Sequence, residues 1–341
     1  MYPAEHMDDI TIIVPTFNRA DFLSRLLAYY ARAGFRGQIL VGDASGVEQA
    51  AMVQKTVEEH RDCLNVHYHP LPGVSIAQTV CVLNGFVQTS FVTLIGDDDF
   101  LVTEGLRRCA RFLKDHPDYA AANGLGGLML IEGGKVYGRI QDLGDYPMKG
   151  IDAQDPGERL ESLLKDYYVP LFSLFRKDVW IHMWPDASNV RDVTFMAELL
   201  PNCTGVVMGR IKHLNVLYLI RQGHQRRYTL RDSYDWMTSA EWQPAYMFFY
   251  VRLMEVLKAQ GVNESNSIRR IKESFWIYLN HCHGKGSSKA SHGRAARILR
   301  RVSRVLRSLF GRQVSLAKLL SPLNAQHRYF KPIYQLITNH H

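Results

Sequence analysis

The sequence predicts an α/β fold, a mostly parallel sheet flanked by helices, followed by a mainly helical C-terminal region. Three observations carry that expectation. Over the first hundred residues, short β-branched apolar runs alternate with segments of helical periodicity, the pattern of right-handed βαβ crossovers. Polar clusters follow the ends of three of those runs, where open α/β sheets bind ligands. Beyond about Arg231 helical spacing takes over, which divides the chain into a body at 1–230 and a helical, basic region at 231–341.

Residues 10–14 are almost wholly apolar and end at Pro15, as a strand buried on both faces does. Asp21 precedes Phe22, Leu23, Leu26, Leu27 and Tyr30 at helical spacing, and Gly34 supplies the stop. Ile39, Leu40 and Val41 form a second strand that runs into Gly42-Asp43-Ala44-Ser45-Gly46. A helix to about His60, a strand over 65–68 and a helix over 73–88 follow. Residues 91–95 make a fourth buried strand, leading straight into Asp97-Asp98-Asp99. Further on, Gly124 to Gly127 and Gly133-Gly134 punctuate a hairpin, 142–156 is rich in turns, and a helix spans 156–166. Residues 284–291 read as a Gly/Ser/Lys linker.

The composition, 46% hydrophobic and 22% charged, suits a globular body with a real core. No apolar run of about 18 residues is present to span a membrane, and the polar, acidic start lacks the regions of a signal peptide. Five dispersed cysteines without a Cys-x-x-Cys pair read as the reduced thiols of a cytoplasmic protein. The formal net charge of +8 is unevenly placed. From Ser274 onward there are 12 Lys and Arg and no Asp or Glu, leaving 29 against 33 before it, a net of −4.

The acidic triplet is the sharpest chemical signal. Three adjacent carboxylates repel, and burying one unpaired is costly. A divalent cation resolves the conflict, since Mg²⁺ and Mn²⁺ take oxygen ligands from carboxylates and substrate phosphates. An extended backbone would aim Asp97 and Asp99 the same way. A solvated acidic turn is the competing reading, made weaker by the polar ends of the neighbouring strands.

Three segments, Ile12 to Arg19 with its Pro15-Thr16-Phe17-Asn18-Arg19, Ile39 to Ser45, and Phe91 to Asp99, resemble the nucleotide-binding half of the family 2 glycosyltransferases, which have the GT-A fold. The resemblance is strong over about 100 residues and weaker to about 228. It implies a nucleotide-sugar donor held by Pro15, Thr16, Asn18, Arg19 and Asp43. It also implies that Asp97 faces the ribose and Asp99 the metal, with Asp98 a substitute for either. Two departures bear on donor identity: Gly42 stands where a second acidic residue is usual, and Gln78-Thr79 stands near a usual Asn.

Members that invert at the anomeric carbon use an Asp or Glu near a helix start as general base. Asp192 fits that place, with Glu198 and Asp186 in reserve; the same Asp192 would equally serve as a helix cap. The family often sets a His after its last core strand, within reach of the metal. His224 fits, and Arg221, Arg226 or Arg227 would neutralise a diphosphate leaving group. The resemblance thus implies a Mg²⁺- or Mn²⁺-dependent transferase acting on a glycan or lipid-linked acceptor in bacterial-type surface polysaccharide assembly.

In the tail, Ile298, Leu299, Val302, Val305, Leu306, Leu309 and Phe310 share one helical face, with Arg297, Arg300, Arg301, Arg304 and Arg307 elsewhere. Such a helix can lie on an anionic membrane, or pack its apolar face on the body. Peripheral attachment to the inner face of a membrane is the expectation. A nucleotidyltransferase would show a Gly-rich basic loop after the first strand, which Pro15 to Arg19 is not. A nucleic-acid-binding tail would interleave aromatics with its arginines, and this one has few.

Overall fold

The computed structural model describes residues 7–186, 190–227, 230–290 and 313–339. β1 (Ile10–Thr16) pairs in parallel with β2 (Gln38–Asp43) and β4 (Phe91–Leu94), and β2 with β3 (Asn65–Pro70). α1 (Ala20–Arg32), α2 (Val47–Glu58) and α3 (Ile76–Asn84) make the crossovers. β2 and β4 are buried along their whole length and β1 at all but one residue, as their unbroken apolar runs require. α3 is shorter than 73–88 because Ser75 caps it. The Ser75 Oγ accepts the Gln78 N–H while Gln78 Oε1 accepts the Ser75 N–H.

The second half adds β5 (Phe100–Leu101), α4 (Thr103–Asp115), β6 (Tyr119–Ile131), β7 (Ile140–Tyr146), α5 (Pro156–Lys165), β8 (Leu174–Arg176), α6 (Lys177–Met183), α7 (Leu200–Met208) and β9 (Arg210–Gly223). Among the described residues nine strands form one sheet, ordered β3-β2-β1-β4-β8-β6-β9-β5, with β7 paired to β6. β8 runs antiparallel to β4 and β6, while the long β6 and β9 lie parallel. Two details differ from the sequence expectation. Gly124 to Gly127 lie inside β6, where the β7 and β9 backbones approach closely, and the turn is made by Gly133 and Gly134 at φ 67° and 65°. The start of the supposed turn-rich stretch is β7 itself.

Past residue 230 come α8 (Ser233–Met237), α9 (Trp242–Ala259), α10 (Glu264–Ala290), α11 (Leu316–Leu320) and α12 (His327–Thr338). α10 continues as helix through the expected linker to Ala290. Side chains on both sides of position 230 share one core, from Ile12 and Leu94 to Phe249, Ile271, Phe330 and Ile333. α10 packs on α5 and α12 on α1. The Gly138 N–H donates to the Ile337 carbonyl at 3.0 Å, and the Val314 N–H to Asp145 Oδ1 at 2.7 Å. The basic segment bearing Arg297 to Arg307 lies outside the described residues. No helix among the described residues is long and apolar enough to cross a membrane, and none of the five cysteines is in a disulfide.

Candidate active site

The strand ends of β1, β2, β4 and β9 converge on the acidic triplet. After β4 the chain turns at once, with the Asp99 N–H donating to the Gly96 carbonyl at 3.1 Å. The turn replaces the extended backbone that would have aimed Asp97 and Asp99 together, and it fans the three carboxylates apart. A Cβ at Gly96 would stand 2.5 Å from Asp98 Oδ1, so a side chain there would have to displace the Asp98 carboxylate.

Arg19 pairs with both Asp97 and Asp98, and Arg221 with Asp99. Asp97 Oδ2 accepts the Thr16 hydroxyl at 2.6 Å, and its Oδ1 lies 2.7 Å from Arg19 Nη2 in an ion pair without hydrogen-bond alignment. Asp98 Oδ2 lies 2.7 Å from His224 Nε2 and 3.2 Å from Arg19 Nη1. Asp99 has both oxygens engaged, by Arg221 Nε at 2.7 Å and the Gln222 N–H at 2.8 Å. All three are at most 4% exposed. Burial would raise the Asp98 carboxyl, but the His224 hydrogen bond and Arg19 pull it down to about 2. At Asp97 burial prevails over Arg19, with repulsion from Asp98 adding to it, and the carboxyl is pushed up to about 7.

The nucleoside side is prepared by the β1–α1 and β2–α2 loops. Asn18 holds φ 53°, a left-handed conformation that Asn tolerates, and its N–H donates to Ser45 Oγ at 2.7 Å. Asp43 is 1% exposed, its oxygens accepting the Ser45 N–H and the Tyr68 hydroxyl, both at 2.9 Å. Pro15 pairs with Gly42 across the ladder, and Phe17, two residues further on, is exposed. The glycine at 42 has a steric cause: a Cβ there would run into Thr79 Cγ2 of α3.

β9 delivers the cationic side. Arg221 lies over the rings of Tyr146 and Phe172, 5.0 and 4.6 Å from their centroids. Burial works against its charge, yet Asp99 and Tyr146 more than offset that and raise its pKa. His224 stacks on Phe22 at 4.6 Å. Arg226 pairs with Asp21 at 2.7 Å and donates to the Asn18 carbonyl. Arg25, Gln222, Tyr146 and Trp236 escaped the reading of the sequence. Arg25 alone left a signal, a charge placed on the apolar face of α1 three residues after Phe22.

Asp192 stands at the head of a π-turn (Phe195–Leu199) that leads into α7. Pro201 has no N–H to close the preceding turn, which accounts for the widening. Asp192 Oδ1 accepts the Phe195 N–H at 2.8 Å and Oδ2 accepts the Trp236 indole N–H at 2.9 Å. Glu198, on the same turn, accepts the Tyr167 hydroxyl at 3.0 Å, and burial raises its carboxyl. Asp186 falls near Cys81 of α3, where burial and that carboxylate push the thiol up to about 11.

The donor set suits a divalent cation in part. Among the described residues no three His, Cys, Asp or Glu side chains gather as metal ligands. Asp98 and His224, however, offer an oxygen and an imidazole nitrogen side by side, and Asp97 Oδ1 has no hydrogen bond. Mg²⁺ is commonly held by one or two carboxylates completed by substrate phosphates, a set that the Asp98 oxygen could begin.

The parallel half-sheet, the mixed half beyond it and the flanking helices are those of GT-A glycosyltransferase structures. Residues 1–349 of S. aureus TarS, in complex with UDP-GlcNAc, superpose with a TM-score of 0.55 at 15% identity, over 85% of this chain and 77% of that one. The longer S. aureus TarS structure gives 0.54 at 16%, over 82% of this chain and 45% of that one, so the protein spans under half its length. No protein-family profile and no curated protein matches the sequence. At such identities the likeness establishes the fold.

Proposed function

We propose that the protein transfers a sugar from a nucleoside-diphosphate sugar to a hydroxyl group of a glycan or lipid-linked acceptor. One observation carries this reading: at the carboxyl ends of the sheet Asp98 and His224 meet at 2.7 Å, with the Arg19 guanidinium 3.2 Å from Asp98 and the Arg221 guanidinium on the adjacent Asp99. Cations flanking a carboxylate–imidazole pair suit a diphosphate better than any neutral ligand. The TarS structure that shares this fold binds UDP-GlcNAc.

In the mechanism, Asp43, Asn18 and the Pro15-Thr16 strand end hold the nucleoside, and Asp97 faces the ribose. Asp192 accepts the proton of the acceptor hydroxyl as its oxygen attacks the anomeric carbon. The bond from that carbon to the diphosphate oxygen breaks, and Arg19 and Arg221 neutralise the departing charge. A single displacement of this kind inverts the anomeric centre. When bound at Asp98 and His224, Mg²⁺ or Mn²⁺ would supply Lewis-acid stabilisation of the leaving diphosphate. Asp99, fully engaged by Arg221 and Gln222, fixes Arg221. Surface polysaccharide or lipid-linked glycan assembly beside a membrane is the setting we assign.

Calorimetric titration with UDP, GDP, CDP and dTDP, with and without Mn²⁺, tests the assignment. One diphosphate should bind with Mn²⁺ present, and Asp98→Ala should weaken it at least about tenfold, the loss of one charge-assisted contact. Binding of none of the four, or binding indifferent to Asp98→Ala, overturns it.

A further inference from the structure

Asp192 differs from the triplet in its company. Each of Asp97, Asp98 and Asp99 touches a cation, whereas no ion pair reaches Asp192 among the described residues. It is 7% exposed and held by two neutral donors, the Phe195 N–H and the Trp236 indole N–H. A carboxylate has about four lone-pair sites, so two remain for an incoming hydroxyl.

The second donor is the informative one. Phe195 N–H belongs to the helix start that Asp192 caps, and any capping Asp would have such a bond. That bond alone leaves the terminal torsion of Asp soft, since its rotamer well is broad. The Trp236 indole removes this freedom from the other side. Trp236 is 3% exposed, 5.0 Å from the Phe195 ring and 6.2 Å from Trp242. It sits on α8, whose start is fixed by Asp232 accepting the Tyr234 and Asp235 N–H groups.

We propose that Trp236 is a positioning residue: its indole N–H fixes the carboxylate plane of Asp192 so that a free lone pair faces the acceptor hydroxyl. The inference rests on the reading of Asp192 as general base. It places part of the catalytic apparatus beyond residue 230, in the helical region.

Trp236→Phe tests it, because phenylalanine keeps an aromatic ring in the cluster and removes only the donor. The readout is nucleoside diphosphate released by transfer to water, from whichever of UDP-GlcNAc, UDP-Glc and GDP-Man the wild type turns over. In Trp236→Phe, kcat should fall about 10- to 100-fold, as misplaced reacting groups cause, with donor KM unchanged. In an Asp192→Asn background the same substitution should change kcat by less than about twofold, because no base is left to orient. An unchanged kcat in Trp236→Phe, or an equal loss in both backgrounds, overturns the positioning role. A wild-type kcat in Asp192→Asn overturns the base itself, and the proposal with it. Should Trp236→Phe unfold, benzothienylalanine at 236, with sulfur in place of the N–H, gives the same comparison.

Discussion

Arg25 is the residue on which the site's rigidity turns. Fully buried in α1, it donates to the Val136 carbonyl at 2.6 Å, Gln222 Oε1 at 2.5 Å and the Asp98 carbonyl at 2.7 Å. Its guanidinium lies between the Phe22 and Phe100 rings, 5.0 and 4.7 Å from their centroids. Burial lowers its pKa to about 10, opposed by the field of Asp98 and its neighbours, so it stays charged at neutral pH. Arg25→Met keeps the length and strands three acceptors, two of them buried. It should cost about 3 kcal/mol or more, measured by urea denaturation. Nothing in the local pattern foretold these contacts, because Val136 and Gln222 lie 111 and 197 residues away. The pairing of Asp98 with His224 was hidden in the same way: the triplet announced charge, but the turn at Gly96 decided which oxygen faces which cation.

At the level of elements, β6 and β9 are joined by a titratable contact. Asn123 Nδ2 donates to the Lys149 carbonyl and Ser173 Oγ, which leaves its Oδ1 to accept from His213 Nδ1 at 2.8 Å. Burial lowers the His213 pKa below its ordinary value of 6.5. The unfolded chain therefore binds the proton more readily, and the contribution is whole above about pH 6.5 and lost as pH falls. Denaturant titrations at pH 7.5 and 5.5 should show a smaller pH-driven loss of stability in His213→Gln than in the wild type. β1, β2 and β4 were legible because buried runs and their breakers are local signals. β6 was not, since its glycines mimic a turn unless the close partner strands are known, and β9, its parallel partner, enters some ninety residues later.

For the molecule as a whole, the helical region is a wall of the same core. Val314, Leu319, Phe330, Ile333, Leu336 and Ile337 are all buried, and at about 1.5–3 kcal/mol per side chain they outweigh much of a typical domain stability of about 5–15 kcal/mol. Deleting residues 313–341 should abolish the cooperative thermal transition seen by circular dichroism. The sequence showed the change from strands to helices near residue 231 but not the return of the chain to α1, because amphipathic periodicity marks a face to be covered and leaves the cover unnamed.

The triplet's carboxylates all have partners already. A diphosphate that took Arg19 and Arg221 for itself would leave Asp97 and Asp99 without their cations, and so create the negative charge that must be quenched in the same event. A bare cation meets the opposite obstacle, since His224 and Arg19 already stand over Asp98. On the proposed reading such a site would work as an ion-exchange latch, closed to either ion alone and open to the two arriving together.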